Sequence, residues 1–263
     1  MKNYISIFLF LVSGSVYAQN EIITDRPDQT ESPNAVGVGI VQIESGLLFQ
    51  RTEISKTVSQ ERFVYPTSLF RIGLAKKLEL RVVSELVTYK VADNEKQEEL
   101  TKITGMENLQ LGFKYQFSEN TAKTIVGVMA HAIVPTGSRG IGNQNYGIFS
   151  RINISHDLSE KRNISGNFGY NNYRFRFDEE GLKREVDGDF TYTLVYGHGI
   201  SERVGLYIEA FGDYVNFEDW IHNMDAGITY LVSDNIQLDY SLGWGLNQVM
   251  NYQSIGISLR LPK

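Results

Sequence analysis

The sequence predicts an all-β fold, because apolar and polar residues alternate in long segments and no segment beyond the N-terminus shows a helical period. The stretch Leu109–Phe117, "LQLGFKYQF", shows the pattern most clearly, with large apolar residues at the odd positions and polar or small residues at the even ones. Such a two-residue period is typical of a strand with one apolar and one polar face. About twelve such segments of roughly 10 to 14 residues follow one another, longer than the roughly five or six residues of ordinary strands.

The N-terminus predicts export. Lys2 gives a positive start, "YISIFLFLVSGSV" is an apolar run, and "VYA" ends in Ala18, the small residue expected at a cleavage site. The run is too short to cross a membrane comfortably as a helix, so we interpret residues 1–18 as a cleaved signal peptide. The chain has no cysteine, which excludes disulfides and thiol chemistry, and its net charge of -6 argues against nucleic acid as a partner.

The connections between the segments differ at the two ends of the predicted sheet. Short polar turns alternate with longer connections along the chain, which is typical of outer-membrane barrels. The short turns lie at 75–77, 118–122, 159–161, 201–203 and 233–235, and the longer connections at 51–61, 91–105, 135–144, 178–188, 215–221 and 247–251. In "ISGNFGYNNYRFRF" the apolar phase shifts, which predicts a β-bulge near Asn171–Asn172.

These features predict a single transmembrane, antiparallel, up-and-down β-barrel of about 12 strands over residues 39–263. Closing the sheet satisfies every backbone hydrogen-bonding group, as lipid requires. Short turns lie on the periplasmic side of such barrels, which puts both termini there. A secreted β-sandwich or jelly roll would also alternate, but its strands should be shorter and its loop lengths less regular.

Several stretches resemble a known family. The sequences "ITDRPDQTESP" (Ile23–Pro33), "VQIESGLLF", "LFRIGLAKKLELRV", "AHAIVPTGS" and "IQLDYSLGWGLN" are similar to the outer-membrane transporter-type proteins of the MetA pathway of phenol degradation. The resemblance covers nearly the whole mature chain. It implies a small outer-membrane barrel that passes small solutes, aromatic compounds among them. The chain ends in "LRLPK", without the terminal aromatic residue common in outer-membrane barrels.

Charged residues of both signs fall on the polar faces of the predicted strands. If the apolar faces meet lipid, these side chains either set an electrostatic profile for solutes in the lumen or pair across strands and fill the interior, and both alternatives stay open. About twelve strands lie between the roughly eight that fill their own interior and the roughly sixteen that leave a channel, so we expect a narrow or plugged pore. The predicted lumen-lining residues are Glu44, Arg71, Glu79, Arg81, Glu85, Lys114, Arg151, Glu209, Asp213, Asp239 and Arg260.

Residues 19–38 precede the first strand and contain a charged stretch with two prolines, Pro27 and Pro33, which disfavour a regular element. One interpretation is a segment folded into the lumen as a constriction, with Arg26 paired to a lumen carboxylate. The other, favoured from the sequence because chain ends are often loosely held, is a periplasmic lead-in at the barrel mouth. The predicted constriction residues are Asp25, Arg26, Asp28 and Glu31.

The sequence shows no catalytic, cofactor-binding or metal-binding constellation. His131 and Ser138 are near each other, as a lipase would need, but no nucleophile motif surrounds Ser138, and a packed or solvated lumen histidine explains His131 better. The other histidines are scattered without metal-ligand spacing. The acidic stretch 92–100 could bind divalent cations, but a solvated charge run explains it more simply.

The sequence therefore predicts an outer-membrane channel or transporter for small solutes, with no enzymatic activity and no cofactor. The expected partners are outer-membrane lipid and lipopolysaccharide, a small-molecule solute and, during biogenesis, the barrel-assembly machinery, whereas nucleic acid is not expected. The alternative is a lipid-acting outer-membrane enzyme or a closed structural barrel.

Overall fold

The computed structural model describes residues 21–142, 145–177 and 184–261, and the predicted signal peptide at 1–18 lies outside them. Within these ranges no helix has both the length and the apolar composition of a membrane span. The strands are β1 (Val41–Glu53), β2 (Val58–Ala75), β3 (Leu78–Asp93), β4 (Glu98–Met106), β5 (Leu109–Gln116), β6 (Thr124–Val134), β7 (Gly147–Ser159), β8 (Arg162–Phe177), β9 (Arg184–Gly199), β10 (Val204–Val215), β11 (Asp219–Ser233), β12 (Ile236–Gly245) and β13 (Met250–Leu261).

The sheet is antiparallel throughout and closes on itself. Neighbours follow the order of the chain, and β1 pairs with β13 as well as with β2. β3 pairs with β5 through its first half and with β4 through its second, so β4 and β5 are two parts of one barrel strand interrupted at Glu107 and Asn108. The thirteen described segments therefore make a closed barrel of 12 strands, and the predicted fold class is confirmed.

Local register shifts bend the barrel wall. The shift between β8 and β9 falls between Asn171 and Arg174, which confirms the predicted bulge. Another falls between Val64 and Thr67 where β2 pairs with β3, beside Pro66, which has no backbone N–H to donate to the ladder. Such bulges increase the local twist and change the direction of the side chains that follow.

The two faces of the wall are opposite in polarity. On β5, Phe113 is 52% exposed, whereas the neighbouring Lys114 is 0% exposed. The same holds on β13, where Ile255 and Ile257 are exposed and Ser258 is buried. Apolar side chains on the outside and polar side chains on the inside are unfavourable for a protein in water. They are favourable in a bilayer, because lipid accommodates apolar side chains and offers no hydrogen-bonding partners to polar ones. The outer face is therefore a lipid-facing belt.

The strands run further than predicted at the end opposite the short turns. β1 and β2 are joined by residues 54–57 and β3 and β4 by 94–97, so the predicted long connections at 51–61 and 91–105 are wrong and are largely strand. Backbone pairing does not require apolar side chains, so a hairpin continues beyond the apolar belt where the alternation ends. β6 and β7 are separated by a long connection, of which the structure describes residues 135–142 and 145–146.

Candidate functional site

The inner face of β2 and β3 carries a dense group of buried charges. Arg71 lies between two carboxylates, with Nη1 3.0 Å from Glu44 Oε1 and Nε 3.0 Å from Glu79 Oε1. Arg81 Nη1 also donates to Glu79 Oε1, at 2.8 Å. All four side chains are fully buried. A buried charge is strongly unfavourable unless it is paired, so each of these groups depends on its partners.

Asp25, from the segment before β1, completes this group. Its Oδ2 is 2.6 Å from Arg81 Nη1 and 2.8 Å from Lys114 Nζ, and its Oδ1 is 3.5 Å from Arg71 Nη1. The backbone N–H of Asp25 donates to Glu44 Oε2 at 2.8 Å. One carboxylate of the N-terminal segment thus serves three cations of the barrel wall.

Arg26 bonds to the strands on either side of β1. Its Nη2 is 2.9 Å from Asp239 Oδ1 on β12 and donates to Ser254 Oγ on β13 at 2.9 Å. Its Nη1 donates to Thr67 Oγ1 on β2 at 3.3 Å. The planar guanidinium suits such multiple contacts, because its donors diverge in a fixed fork. One of the two interpretations of the sequence paired Arg26 with a lumen carboxylate, and Asp239 is such a carboxylate.

Two glycines make room for the Arg26 side chain. Gly46 on β1 lies directly opposite Gly256 on β13. A Cβ at Gly46 would lie 2.6 Å from Arg26 Nη2, and a Cβ at Gly256 would lie 2.6 Å from Arg26 Cζ. Only glycine allows so close an approach between a side chain and a strand backbone.

Residues 29–31 contact the far side of the barrel. Gln29 N donates to Glu209 Oε2 at 2.7 Å, and Thr30 Oγ1 donates to Glu209 Oε1 at 2.5 Å. Glu31 N donates to Asn167 Oδ1 on β8 at 2.7 Å. These are hydrogen bonds to buried wall residues, so the segment is held on this side by neutral donors.

Together these contacts define a crossing segment, Asp25–Glu31, that runs through the barrel interior between β1–β3 and β8–β10. After it the chain returns, and Val36 N donates to Glu79 Oε2 at 2.8 Å. The interpretation favoured from the sequence, a lead-in at the barrel mouth, does not fit these contacts. The reason is physical: the partners of the segment lie on distant strands and come together only when the barrel closes.

The other predicted lumen-lining residues form separate pairs. Arg62 Nη2 donates to Glu85 Oε2 at 2.8 Å, and Arg151 Nη1 donates to Asn171 Oδ1 at 2.6 Å. At the short-turn end, Arg260 Nε donates to Asn235 Oδ1 at 2.8 Å.

Two further predicted acids lie on the side of β10. Asp213 is half-buried and opposite Thr191 on β9. Asp28 is half-buried and close enough to Asp225 on β11 for their charges to interact. Asp225 is buried, and the sequence analysis did not select it. It alternates with outward Ala226, so the rule that selected Asp239 would also have found it.

His131 is engaged on both ring nitrogens. Arg81 Nε donates to Nε2 at 3.0 Å, and Gln110 Oε1 is 3.2 Å from Nδ1. Ser138 Oγ instead accepts a hydrogen bond from Met106 N at 2.9 Å, and no described hydrogen bond joins it to His131. Over the described ranges, no group of three or more His, Asp or Glu side chains is arranged to hold a metal ion.

A cavity of about 830 Å³ occupies the short-turn half of the interior, beside the crossing segment. Its wall is mostly polar and uncharged near the middle of the strands and charged at the turns. Representative lining residues are Asp28, Asn163, Ser165, Glu202, Tyr207 and Gln237.

A closed barrel with a lipid-facing belt, a polar interior and an internal segment defines the class of outer-membrane β-barrel proteins. The chain belongs to the family described as "Putative MetA-pathway of phenol degradation", whose model matches residues 24–261. The match includes the crossing segment from Asp25 as well as the whole described barrel, so the resemblance found in the sequence is confirmed.

Solved structures share the fold. The COG4313 outer membrane channel from Pseudomonas putida F1 has a TM-score of 0.68 at 16% identity, over 87% of this chain and 97% of that one. The beta domain of the Bordetella autotransporter Brka has a TM-score of 0.54 at 10% identity, over 83% of this chain and 98% of that one. The KdgM porin has a TM-score of 0.51 at 9% identity, over 83% and 98%. At these identities the likeness shows the fold alone. Among curated proteins none matches.

Proposed function

We propose that this protein is a narrow outer-membrane channel for small solutes in which the crossing segment Asp25–Glu31 forms the constriction. The observation that carries the proposal is that this segment bonds to the wall on opposite sides of the interior, through Asp25 and Arg26 on one side and Thr30 on the other. The lipid-facing belt, the polar interior and the family support a channel. The fold shared with the Pseudomonas putida outer membrane channel is consistent with it.

The strength of these contacts sets how the constriction behaves. Breaking one partner of a buried ion pair costs roughly 3–5 kcal/mol. Because Asp25 has three cationic partners, spontaneous release of the whole segment is rare. Solutes therefore pass beside a mostly fixed segment, and the pore selects them by size and by hydrogen bonding along its wall.

The remaining assignments extend the same proposal. Residues 1–18 act as a cleaved signal peptide, and both termini of the mature barrel face the periplasm, because the short turns lie at their end. Outer-membrane lipid and lipopolysaccharide surround the belt, and the barrel-assembly machinery inserts it. The family description names phenol degradation, and we extend to this chain the expectation that aromatic compounds are among its solutes.

Conductance of the purified protein in planar lipid bilayers tests the channel. We expect small, steady unitary currents, as a narrow pore of about 12 strands should give. Absence of any current together with hydrolysis of phospholipid by the same preparation would replace the proposal with a lipid-acting enzyme. Absence of both activities would leave a closed structural barrel.

A further inference from the structure

The β10–β13 side of the interior holds a second group of acids. Glu209 on β10 lies directly opposite Asp225 on β11, and Asp28 of the crossing segment is close enough to both for the charges to interact. None of these three carboxylates forms an ion pair with a basic side chain in the described part of the chain. The hydrogen bonds to Glu209 come from uncharged groups, Gln29 N and Thr30 Oγ1. No basic side chain of the described residues therefore compensates these acids, and carboxyl groups so close together share protons rather than ionise together.

Two tyrosines close over this group because two glycines leave space for them. Tyr252 lies over Gly243, and Tyr207 lies over Gly227, so that a Cβ at either glycine would overlap the ring. The Tyr252 hydroxyl donates to Asp225 Oδ2. Asp225 is 0% exposed, and its Oδ1 is without a hydrogen-bond partner among the described residues, as is the Tyr207 hydroxyl. A buried acceptor without a donor is energetically unfavourable.

Two members of the group line the cavity beside the crossing segment. Both Asp28 and Tyr207 line the cavity of about 830 Å³, which extends to the turns at the short-turn end. Glu202, in the turn before β10, lies at the rim of the same cavity and is exposed. A solute in the cavity can therefore meet Asp28 and Tyr207 without passing the crossing segment.

We propose that this acidic pocket, formed by Asp28, Glu209 and Asp225 with Tyr207 and Tyr252, binds the ammonium group of an amine solute. The inference rests on the proposed channel function and adds a class of solute to it. An ammonium group carries three N–H donors, which match carboxylate and hydroxyl acceptors, and its positive charge would replace the protons that the acids share.

Calorimetric titration of the purified full-length barrel in detergent tests the pocket, with butylammonium chloride as the probe and 1-butanol as its uncharged counterpart. We expect butylammonium to bind and 1-butanol not to bind. Changing Asp225→Asn should weaken butylammonium binding by about tenfold or more, because a charge-assisted hydrogen bond is lost. The matched control, Glu202→Gln, removes the same charge at the cavity rim and should change the affinity by less than about twofold.

Equal binding of butylammonium and 1-butanol, or equal loss of affinity in Asp225→Asn and Glu202→Gln, would overturn the pocket. So would displacement of butylammonium by Mg²⁺ at much lower concentration, which would assign a divalent cation instead. If Asp225→Asn does not show the heat-modifiable migration of a folded barrel, Glu209→Gln is used in its place and should weaken butylammonium binding to the same extent. Binding in detergent needs no passage across a membrane, so a failure here with conductance intact removes only the pocket, and the reverse result removes only the channel.

Discussion

Acidic side chains are paired with basic ones on one side of the barrel interior and with neutral groups on the other. On the β1–β3 side, Asp25 is ion-paired with Arg71 and Arg81, and the wall carboxylates there share the same cations. On the β10–β13 side, Glu209 and Asp225 accept hydrogen bonds from neutral groups only, as far as the structure describes the chain. The crossing segment touches both. One side therefore anchors the segment through ion pairs that are costly to break, while the other holds acids without a basic partner among the described residues.

The largest effect should follow from removing the anchor. Changing Asp25→Asn leaves Arg71, Arg81 and Lys114 with less than their full compensation and should cost roughly 3–5 kcal/mol of folding free energy. We also expect higher conductance, because the segment loses its charged contact. Urea unfolding in detergent and bilayer recordings measure the two effects. Asp157→Asn changes an exposed acid and is the control, which should alter neither stability nor conductance. Unchanged stability in Asp25→Asn would mean that the β1–β3 side does not anchor the segment more strongly than the other side.

The contrast depends on which face of each strand points inward, and β5 tests this directly. Changing Phe113→Lys places a charge on the lipid-facing belt and should cost roughly 2–4 kcal/mol if the position is near the middle of the bilayer. Heat-modifiable migration after refolding into lipid vesicles measures the folded fraction. Phe113→Leu keeps the surface apolar and should fold normally. Normal folding of Phe113→Lys would mean that the strand is inside out.

A smaller effect should come from Arg26, which is partly exposed. Arg26→Ala removes the pair with Asp239 and should cost about 1–3 kcal/mol, because a charge-assisted hydrogen bond is lost. Passage should also widen, since the side chain fills the space above Gly46 and Gly256. Unitary conductance and liposome swelling with sugars of graded size measure this. Arg26→Lys keeps a long cationic side chain and should restrict passage more than Arg26→Ala does. Unchanged conductance in Arg26→Ala would mean that Arg26 does not form part of the constriction.

The smallest effect should appear on the acidic side. Glu209→Gln keeps the shape of the side chain and removes a negative charge that has no cationic partner, so stability should change by less than about 0.5 kcal/mol or rise. Urea unfolding measures it beside Asp25→Asn under the same conditions. A loss as large as that of Asp25→Asn would show that both sides anchor the segment in the same way.

The fold could be predicted from the sequence, because the alternation within each strand shows which of its residues face outward and which face inward. Alternation at Leu109–Phe117 separates Phe113 from Lys114 without any knowledge of the neighbours, and repetition of the pattern with short turns indicates a closed barrel. The positions where the strands end could not be predicted in the same way, because outside the bilayer a paired strand no longer needs apolar residues. The charged residues of the wall were found by the same alternation, and Asp225 was missed although it obeys the rule.

The position of the crossing segment could not be predicted from local sequence patterns. Arg26 and Asp239 are 213 positions apart, and nothing near either residue indicates the other. The sequence placed Lys114 among the lumen-lining residues, and its contact with Asp25 makes the residue part of the anchor as well. Burial therefore gives Lys114 a structural role that its place on a polar face did not reveal.

By itself, the sequence determined the β class, the number of barrel strands, the face that meets lipid and the family, because periodicity and local motifs encode these features residue by residue. Tertiary structure alone decided that Asp25–Glu31 crosses the interior, that one wall compensates its acids and that the other does not. Those outcomes depend on which side chains meet after the sheet closes, and closure brings together residues from opposite ends of the chain.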